Sequence, residues 1–75
     1  MLLYRVIVLR AGAEVSAKGY HSRAQADAAY AKAVSRCFRQ SKLYRVPFRV
    51  ELWRGETLIE NVDTAATRKS GQPGA

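Results

Sequence analysis

The side chains able to act as a nucleophile, a general base or a metal ligand are few in this chain. It contains one histidine, His21, and one cysteine, Cys37. Nucleophilic catalysis needs a nucleophile held by a base, and a structural zinc site needs about four ligands. No serine or cysteine stands at a recognisable motif spacing from His21, and there is no Gly-rich phosphate loop or dinucleotide-binding fingerprint. We therefore expect a protein that is not an enzyme and that binds no metal and no cofactor.

The cysteine and the clustered acids have structural explanations. Cys37 falls on the apolar stripe of a predicted helix, where a free cysteine behaves as a small buried hydrophobic residue. Arg36 and Arg39 flank it in sequence, so a reactive thiolate is the alternative. The acids of residues 51–63 alternate with basic residues, which indicates a solvated face rather than a divalent metal site.

Positive charge dominates the composition and is concentrated in the middle of the chain. Thirteen Lys and Arg against six Asp and Glu give a net charge of +7, and residues 23–49 hold seven of the basic residues against Asp27 alone. With 48% hydrophobic residues the chain is too apolar for a disordered basic tail, and its 75 residues suffice for one domain with one core. We expect a folded basic module whose partner is acidic, either nucleic acid or an acidic protein surface such as that of a nucleoprotein complex.

The hydropathy pattern bears on location and on domain limits. No apolar run approaches the ~20 residues of a membrane span, and Arg5 and Arg10 interrupt the apolar N-terminal stretch. We expect a cytoplasmic protein with no membrane partner. From Asp63 onward the apolar periodicity stops and Gly and Pro follow, so residues 1–62 are predicted to form the binding domain and residues 63–75 a flexible tail.

The elements that must position any functional residue are two hairpins separated by a helix. Residues 2–9 are rich in β-forming residues, and a turn at Ala11-Gly12 closes an antiparallel hairpin. Its predicted register has three pairs on one face: Val8 with Val15, Val6 with Ala17, and Tyr4 with Gly19. Ser22 and Gln25 form a capping box that begins the helix. Apolar residues follow at helical spacing and predict the buried stripe: Ala26, Ala29, Tyr30, Ala33, Val34, Cys37 and Phe38.

The second hairpin begins with a strictly alternating strand over residues 44–53 and turns at Arg54-Gly55. We predict that it pairs Val50 with Ile59 and Arg49 with Glu60. The chain is thus an α+β fold, ββαββ, with one helix on a four-stranded antiparallel sheet. Two strand orders, 2-1-3-4 and 1-2-4-3, keep all neighbours antiparallel. We favour 2-1-3-4, which puts the two most apolar strands in the centre, although Pro47 then removes a ladder donor from a central strand.

The face of this sheet away from the helix is the first candidate binding surface. It is predicted to carry large apolar residues interleaved with basic ones: Leu3, Ile7, Leu9, Trp53 and Leu58, with Arg5, Lys18, Arg45 and Arg49. A sheet face in contact with water is normally polar, so this composition indicates an interface. In the predicted register Arg5 opposes Lys18, and two like charges in that position favour an acidic ligand.

Two classes of function fit this surface. In one, bases of single-stranded nucleic acid stack on Tyr20 or Trp53 while the basic residues follow the phosphates. In the other, the apolar residues form the centre of a protein interface, with a second copy of the chain or with an acidic protein. The outward side of the helix is a second candidate surface, with Arg36 and Arg39 together with Lys32 and Lys42.

The predicted architecture of a capped helix over a four-stranded antiparallel sheet, in a small basic chain, looks like that of several accessory proteins of phages and mobile elements, including some anti-CRISPR inhibitors. The resemblance is one of architecture and rests on no diagnostic motif. It implies an inhibitor or accessory protein that binds a nucleoprotein complex where nucleic acid would dock.

Overall fold

Five elements in the order ββαββ make up residues 3–65, the part of the chain that the computed structural model describes. The strands are β1 (Tyr4–Arg10), β2 (Ala13–Tyr20), β3 (Phe48–Arg54) and β4 (Thr57–Asp63), and the helix is α1 (Arg23–Tyr44). The sheet has the order β2-β1-β3-β4, and each neighbouring pair is antiparallel. The α+β class and the favoured strand order are therefore confirmed.

The helix begins where the capping box predicts. Ser22 has an extended backbone, and its Oγ accepts a hydrogen bond of 3.2 Å from the backbone N–H of Gln25. Alanine and cysteine at Ala26, Ala33 and Cys37 form the buried stripe, and their small side chains let the helix lie close to the sheet. Phe38, predicted to belong to this stripe, is only half-buried and lies beside it.

The end of the helix differs from the prediction. The helix continues through Tyr44, and Arg45 then takes a left-handed conformation with φ 57° and stops it. Glycine usually takes this conformation at the end of a helix. Because the residue here is an arginine, the sequence does not mark the stop. Strand β3 consequently begins at Phe48 rather than at residue 44, and Pro47 lies just before it. Because Pro47 lies outside the strand, it removes no donor from the ladder, and its carbonyl accepts a hydrogen bond from Ala11 N at 2.8 Å.

The core lies between α1 and the two central strands. Val50 and Leu52 of β3 are completely buried, and they pack with Val6 and Val8 of β1. Burying one such side chain contributes roughly 1.5–3 kcal/mol. The alternation predicted for β3 therefore places the correct residues, Val50 and Leu52, in the core.

A β-bulge in the first hairpin changes which side chains share a face. Ala11 and Gly12 both have positive φ, as a tight two-residue hairpin turn requires, and the pairs next to the turn fit the predicted register. Between Val8 and Leu9 the register shifts by one residue, because β2 contains one extra residue, Val15. Beyond the bulge every β2 side chain points to the face opposite from the one predicted. The pairs that result are Val8 with Ser16, Val6 with Lys18, and Tyr4 with Tyr20.

The second hairpin also contains a register shift, between Leu52 and Trp53. Its turn is Gly55-Glu56, so the predicted pairs of Val50 with Ile59 and Arg49 with Glu60 are wrong. The observed partners are Val62 for Val50, Asp63 for Arg49 and Glu60 for Leu52. This register brings Val62 to the core and leaves Glu60 at its edge, where its carboxylate lies 3.6 Å from Arg23.

The end of β4 is fixed to the helix by a buried hydroxyl pair. Thr64 is 1% exposed, its Oγ1 lies 3.0 Å from Ser41 Oγ, and it also accepts a hydrogen bond of 3.1 Å from Phe48 N. The boundary predicted at Asp63 thus falls inside β4, and residues 63–65 belong to the folded domain. The rest of the predicted tail, residues 66–75, lies outside the described residues.

We expect Thr64→Val to destabilise the fold by about 1–3 kcal/mol, although valine has nearly the same shape. The substitution leaves the buried N–H of Phe48 without its acceptor and removes the hydroxyl paired with Ser41. The midpoint of urea unfolding measures this loss. Thr57→Val, at the exposed start of β4, is the matched control and should change stability by less than about 0.5 kcal/mol. Equal midpoints for the two variants would contradict the role of the hydroxyl pair.

Candidate binding surfaces

The structure divides the predicted site residues between two sides of the sheet. We call the side away from α1 the open face and the other the helix side. Three predicted members of the open face, Lys18, Tyr20 and Arg45, lie elsewhere. The bulge turns Lys18 and Tyr20 to the helix side, and Arg45 caps the helix instead of belonging to a strand. Arg5 pairs with Gly19 and not with Lys18, so the predicted opposition of two cations on the open face is wrong.

A single carboxylate organises the polar part of the open face. Glu51 accepts a hydrogen bond of 2.7 Å from Arg49 and one of 3.0 Å from the indole N–H of Trp53. The guanidinium of Arg5 lies over the Trp53 ring, 5.9 Å from its centroid, and donates to the carbonyl of Gly55 at 3.2 Å. We call these four side chains, Arg5, Trp53, Glu51 and Arg49, the Glu51 network. The network already uses the two arginines that were predicted to bind a ligand here.

The surroundings of Glu51 favour its ionised form. Partial burial alone would raise its pKa, but the hydrogen bonds from Arg49 and Trp53 and the charge of Arg49 together lower the pKa below its ordinary value. Only 16% of the Glu51 side chain is exposed, whereas 36% of Arg49 is. The carboxylate is therefore occupied within the fold and is a poor candidate for a proton-transfer group.

Apolar residues complete the open face. Ile7 lies at its centre between Ala17 and Glu51 and is only 9% exposed, so its neighbours already cover it. Leu58 pairs with Trp53 and is half-buried. Leu9 is also half-buried, and Leu3 is exposed. No helix or strand of residues 3–65 covers this face, although less apolar surface is exposed there than the sequence predicts.

The helix side carries two clefts. The first lies between α1 and β2, and its lining includes Ser16, Tyr20, Ala29 and Ala33. Three cations surround it: Lys18 from β2, with Lys32 and Arg36 from the helix.

The second cleft lies at the C-terminal end of α1 and is larger, with a volume of about 880 Å³. Phe38, Val46 and Pro47 give it apolar walls, and the Ser41–Thr64 hydroxyl pair lies within its lining. Three further cations surround it: Arg39, Lys42 and Arg45. Sequence reasoning missed this cleft, because it assigned Phe38 to the core and residues 44–47 to a strand.

The six basic residues around the two clefts form one surface, which we call the cationic surface: Lys18, Lys32, Arg36, Arg39, Lys42 and Arg45. The ion pairs among the described residues involve only Arg23 and Arg49. No carboxylate of residues 3–65 therefore neutralises the cationic surface, whereas the open face holds the acids Glu14, Glu51 and Asp63 beside its two arginines. The helix positions predicted as a second candidate surface, Arg36 and Arg39, are thus at the centre of the exposed positive charge.

The residues considered for catalysis are dispersed. Cys37 is buried on the face of α1 that packs against the sheet. Burial raises the pKa of its thiol, although the charge of Arg36 opposes this shift. His21 is exposed in the turn before the helix. Within residues 3–65 no three His, Cys, Asp or Glu side chains are grouped closely enough to hold a metal ion.

Comparison with known proteins identifies no relative. No protein-family model matches the chain, and neither the curated proteins nor the solved structures contain a significant match. Of the described residues, α1 forms the one long helix, and it lacks the apolar length needed to cross a membrane.

Glu51→Gln tests the Glu51 network through the pH dependence of stability. Because the folded-state pKa of Glu51 is lowered, ionised Glu51 stabilises the fold above the unfolded pKa of about 4.3, and this contribution is lost as the pH falls through the lower folded-state value. The variant should be less stable than the native chain at pH 7, and the difference should shrink below about pH 4. Glu56→Gln, in the exposed turn, is the matched control for the loss of one carboxylate. Urea unfolding at several pH values measures both, and a gap for Glu51→Gln that is the same at pH 7 and pH 3 would contradict the assignment.

Proposed function

We propose that this protein is a small, non-enzymatic binding module that engages nucleic acid through its cationic surface. The observation that supports this proposal is the separation of charge: six cations without an acidic partner among residues 3–65 lie on the helix side, while on the open face Arg49 is paired with Glu51 and three acids stand beside two arginines. A folded protein gains little from holding like charges together, so an external anion is the natural partner.

The geometry of the cationic surface suits an extended polyanion. From Lys32 to Lys42 the helix rises ~15 Å, and the four cations of this stretch are all exposed. Lys18 lines the same cleft as Lys32 and Arg36, and Arg45 lines the same cleft as Arg39 and Lys42. Each phosphate contact releases condensed counterions, so affinity should depend steeply on salt.

The proposed setting rests on the resemblance in architecture described in the sequence analysis. We propose an accessory or inhibitor protein of a phage or mobile element, acting in the cytoplasm, where a basic protein of this size meets nucleic acid or a complex that handles it. In such a complex the cationic surface would contact the nucleic acid or an acidic surface beside it.

Arg36→Gln/Arg39→Gln should weaken binding to single-stranded DNA and lower the slope of log affinity against log salt by up to about 1.4, which is ~0.7 for each lost phosphate contact. Mobility-shift titrations at several salt concentrations measure the slope. Arg5→Gln/Arg54→Gln removes the same charge from other parts of the sheet and is the matched control. Its slope should change by less than half as much.

Two results would contradict the proposal in different ways. An equal loss in both variants would mean that net charge alone governs binding and that the cationic surface is not the site. Failure of the native chain to bind DNA or RNA, single-stranded or duplex, at low salt would exclude nucleic acid as the partner and leave an acidic protein surface.

A second candidate function is supported by the open face. We propose as the alternative that this face is the interface of a homodimer with no role in nucleic-acid binding. Leu3, Leu9, Trp53 and Leu58 are at least partly exposed there, and the mixture of two arginines with three acids lets a second copy approach without repulsion.

Light scattering tests the homodimer. The native chain at roughly tens of micromolar should have the mass of a dimer, and Leu58→Lys should have that of a monomer, because it places a charge at the centre of the interface. Leu43→Lys is the matched control, since Leu43 is 70% exposed on the helix. It should remain dimeric. A native chain with the mass of a monomer would exclude the alternative.

A further inference from the structure

The cleft at the C-terminal end of α1 has a property that a simple phosphate-binding surface does not need. Phe38, Val46 and Pro47 contribute apolar walls to an open cleft of about 880 Å³. Sites for small organic ligands usually have volumes of about 300–1,000 Å³. Phosphate groups alone would leave these apolar walls in contact with water.

The chemistry of the lining indicates a ligand with a flat apolar body and attached negative charge. Arg39, Lys42 and Arg45 surround the apolar walls and have no acidic partner among residues 3–65. Ser41 and Thr64 add hydroxyl groups at the wall, although these already bond to each other. Charge complementarity therefore requires an anion, and the ring of Phe38 provides a surface for stacking.

We infer that this cleft receives an unpaired base of single-stranded nucleic acid, with the neighbouring phosphates on Arg39, Lys42 and Arg45. The inference rests on the proposed function and adds that the nucleic acid is single-stranded. A base in a duplex is stacked and paired and must first be extruded. Base stacking on an aromatic side chain is insensitive to sequence, and it combines with cationic backbone contacts in proteins that bind single strands. The inference places this role on Phe38, whereas the sequence predicts Tyr20 or Trp53 for it.

The chain offers a direct probe, because its one tryptophan, Trp53, lies on the open face. The double variant Trp53→Phe/Phe38→Trp moves the indole into the cleft. Titration of the full-length variant with oligothymidylate should quench its fluorescence, and the same titration of the native chain should leave the fluorescence of Trp53 nearly unchanged. Duplex DNA should quench neither protein.

An abasic oligonucleotide of equal length separates the base from the phosphates. The native chain should bind oligothymidylate at least about five-fold more tightly than the abasic strand, which is the lower end of the effect of stacking one base. Phe38→Leu keeps an apolar side chain in the cleft but lacks a ring, so it should lose this preference while keeping its affinity for the abasic strand. Circular dichroism and urea unfolding establish that each variant is folded.

Each outcome points to a different failure. Equal affinity of the native chain for both strands, with no quenching of the relocated tryptophan, would overturn the base site and leave the proposed function intact. Absence of any binding at low salt would overturn both. Quenching by an acidic peptide but not by oligothymidylate would assign the cleft to a protein partner and overturn the inference.

Discussion

The width of one helix limits what this fold can cover. An α-helix with its side chains is ~10–12 Å across, whereas four strands spaced ~4.8 Å apart form a sheet about 14 Å wide between the outer strand axes. Helix α1 packs mainly over the two central strands, β1 and β3, and leaves a cleft between itself and the outer strand β2. The second cleft lies between the C-terminal end of α1, residues 45–47 and residues 64–65. No helix or strand of residues 3–65 remains to cover the open face. The candidate binding surfaces remain exposed because, among residues 3–65, one helix is available to cover a four-stranded sheet.

The charged side chains on the two sides of the sheet are paired differently. On the open face Glu51 connects Arg49 to the Trp53 indole, and Arg5 lies over the same ring, so charged side chains partly cover an apolar surface. In this network Glu51 neutralises Arg49, and Arg5 is held by the Trp53 ring and the carbonyl of Gly55. On the helix side the six cations of the cationic surface form no ion pair with an acid of residues 3–65, and their charge remains available to a partner. This difference is the physical reason for assigning the anionic partner to the helix side.

Much of the fold could be predicted from local signals, and much of the site could not. The capping box at Ser22 and the alternation of Val50 and Leu52 predict the helix start and the core, because each depends on neighbours in sequence. The bulge at Val15 depends on tertiary packing: it gives Tyr20 a place against the core that Gly19 could not use. That one-residue shift moved Lys18 and Tyr20 to the other side of the sheet. The left-handed conformation of Arg45 had no glycine to mark it.

The placement of charge on α1 shows that helix stability alone does not explain the cationic surface. Near the C-terminus, the macrodipole favours cations such as Lys42 by roughly 0.3–1 kcal/mol. Lys32 and Arg36 lie too far from that end to benefit, because the effect falls off within the last turn. They are four residues apart, and like charges at this spacing destabilise a helix by about 0.2–0.5 kcal/mol. Asp27 sits one turn earlier and is paired with Arg23 at 2.9 Å, so it offers no relief. No acid of residues 3–65 pairs with Lys32 or Arg36, so the anionic partner proposed above would reduce a repulsion that the described residues leave in place.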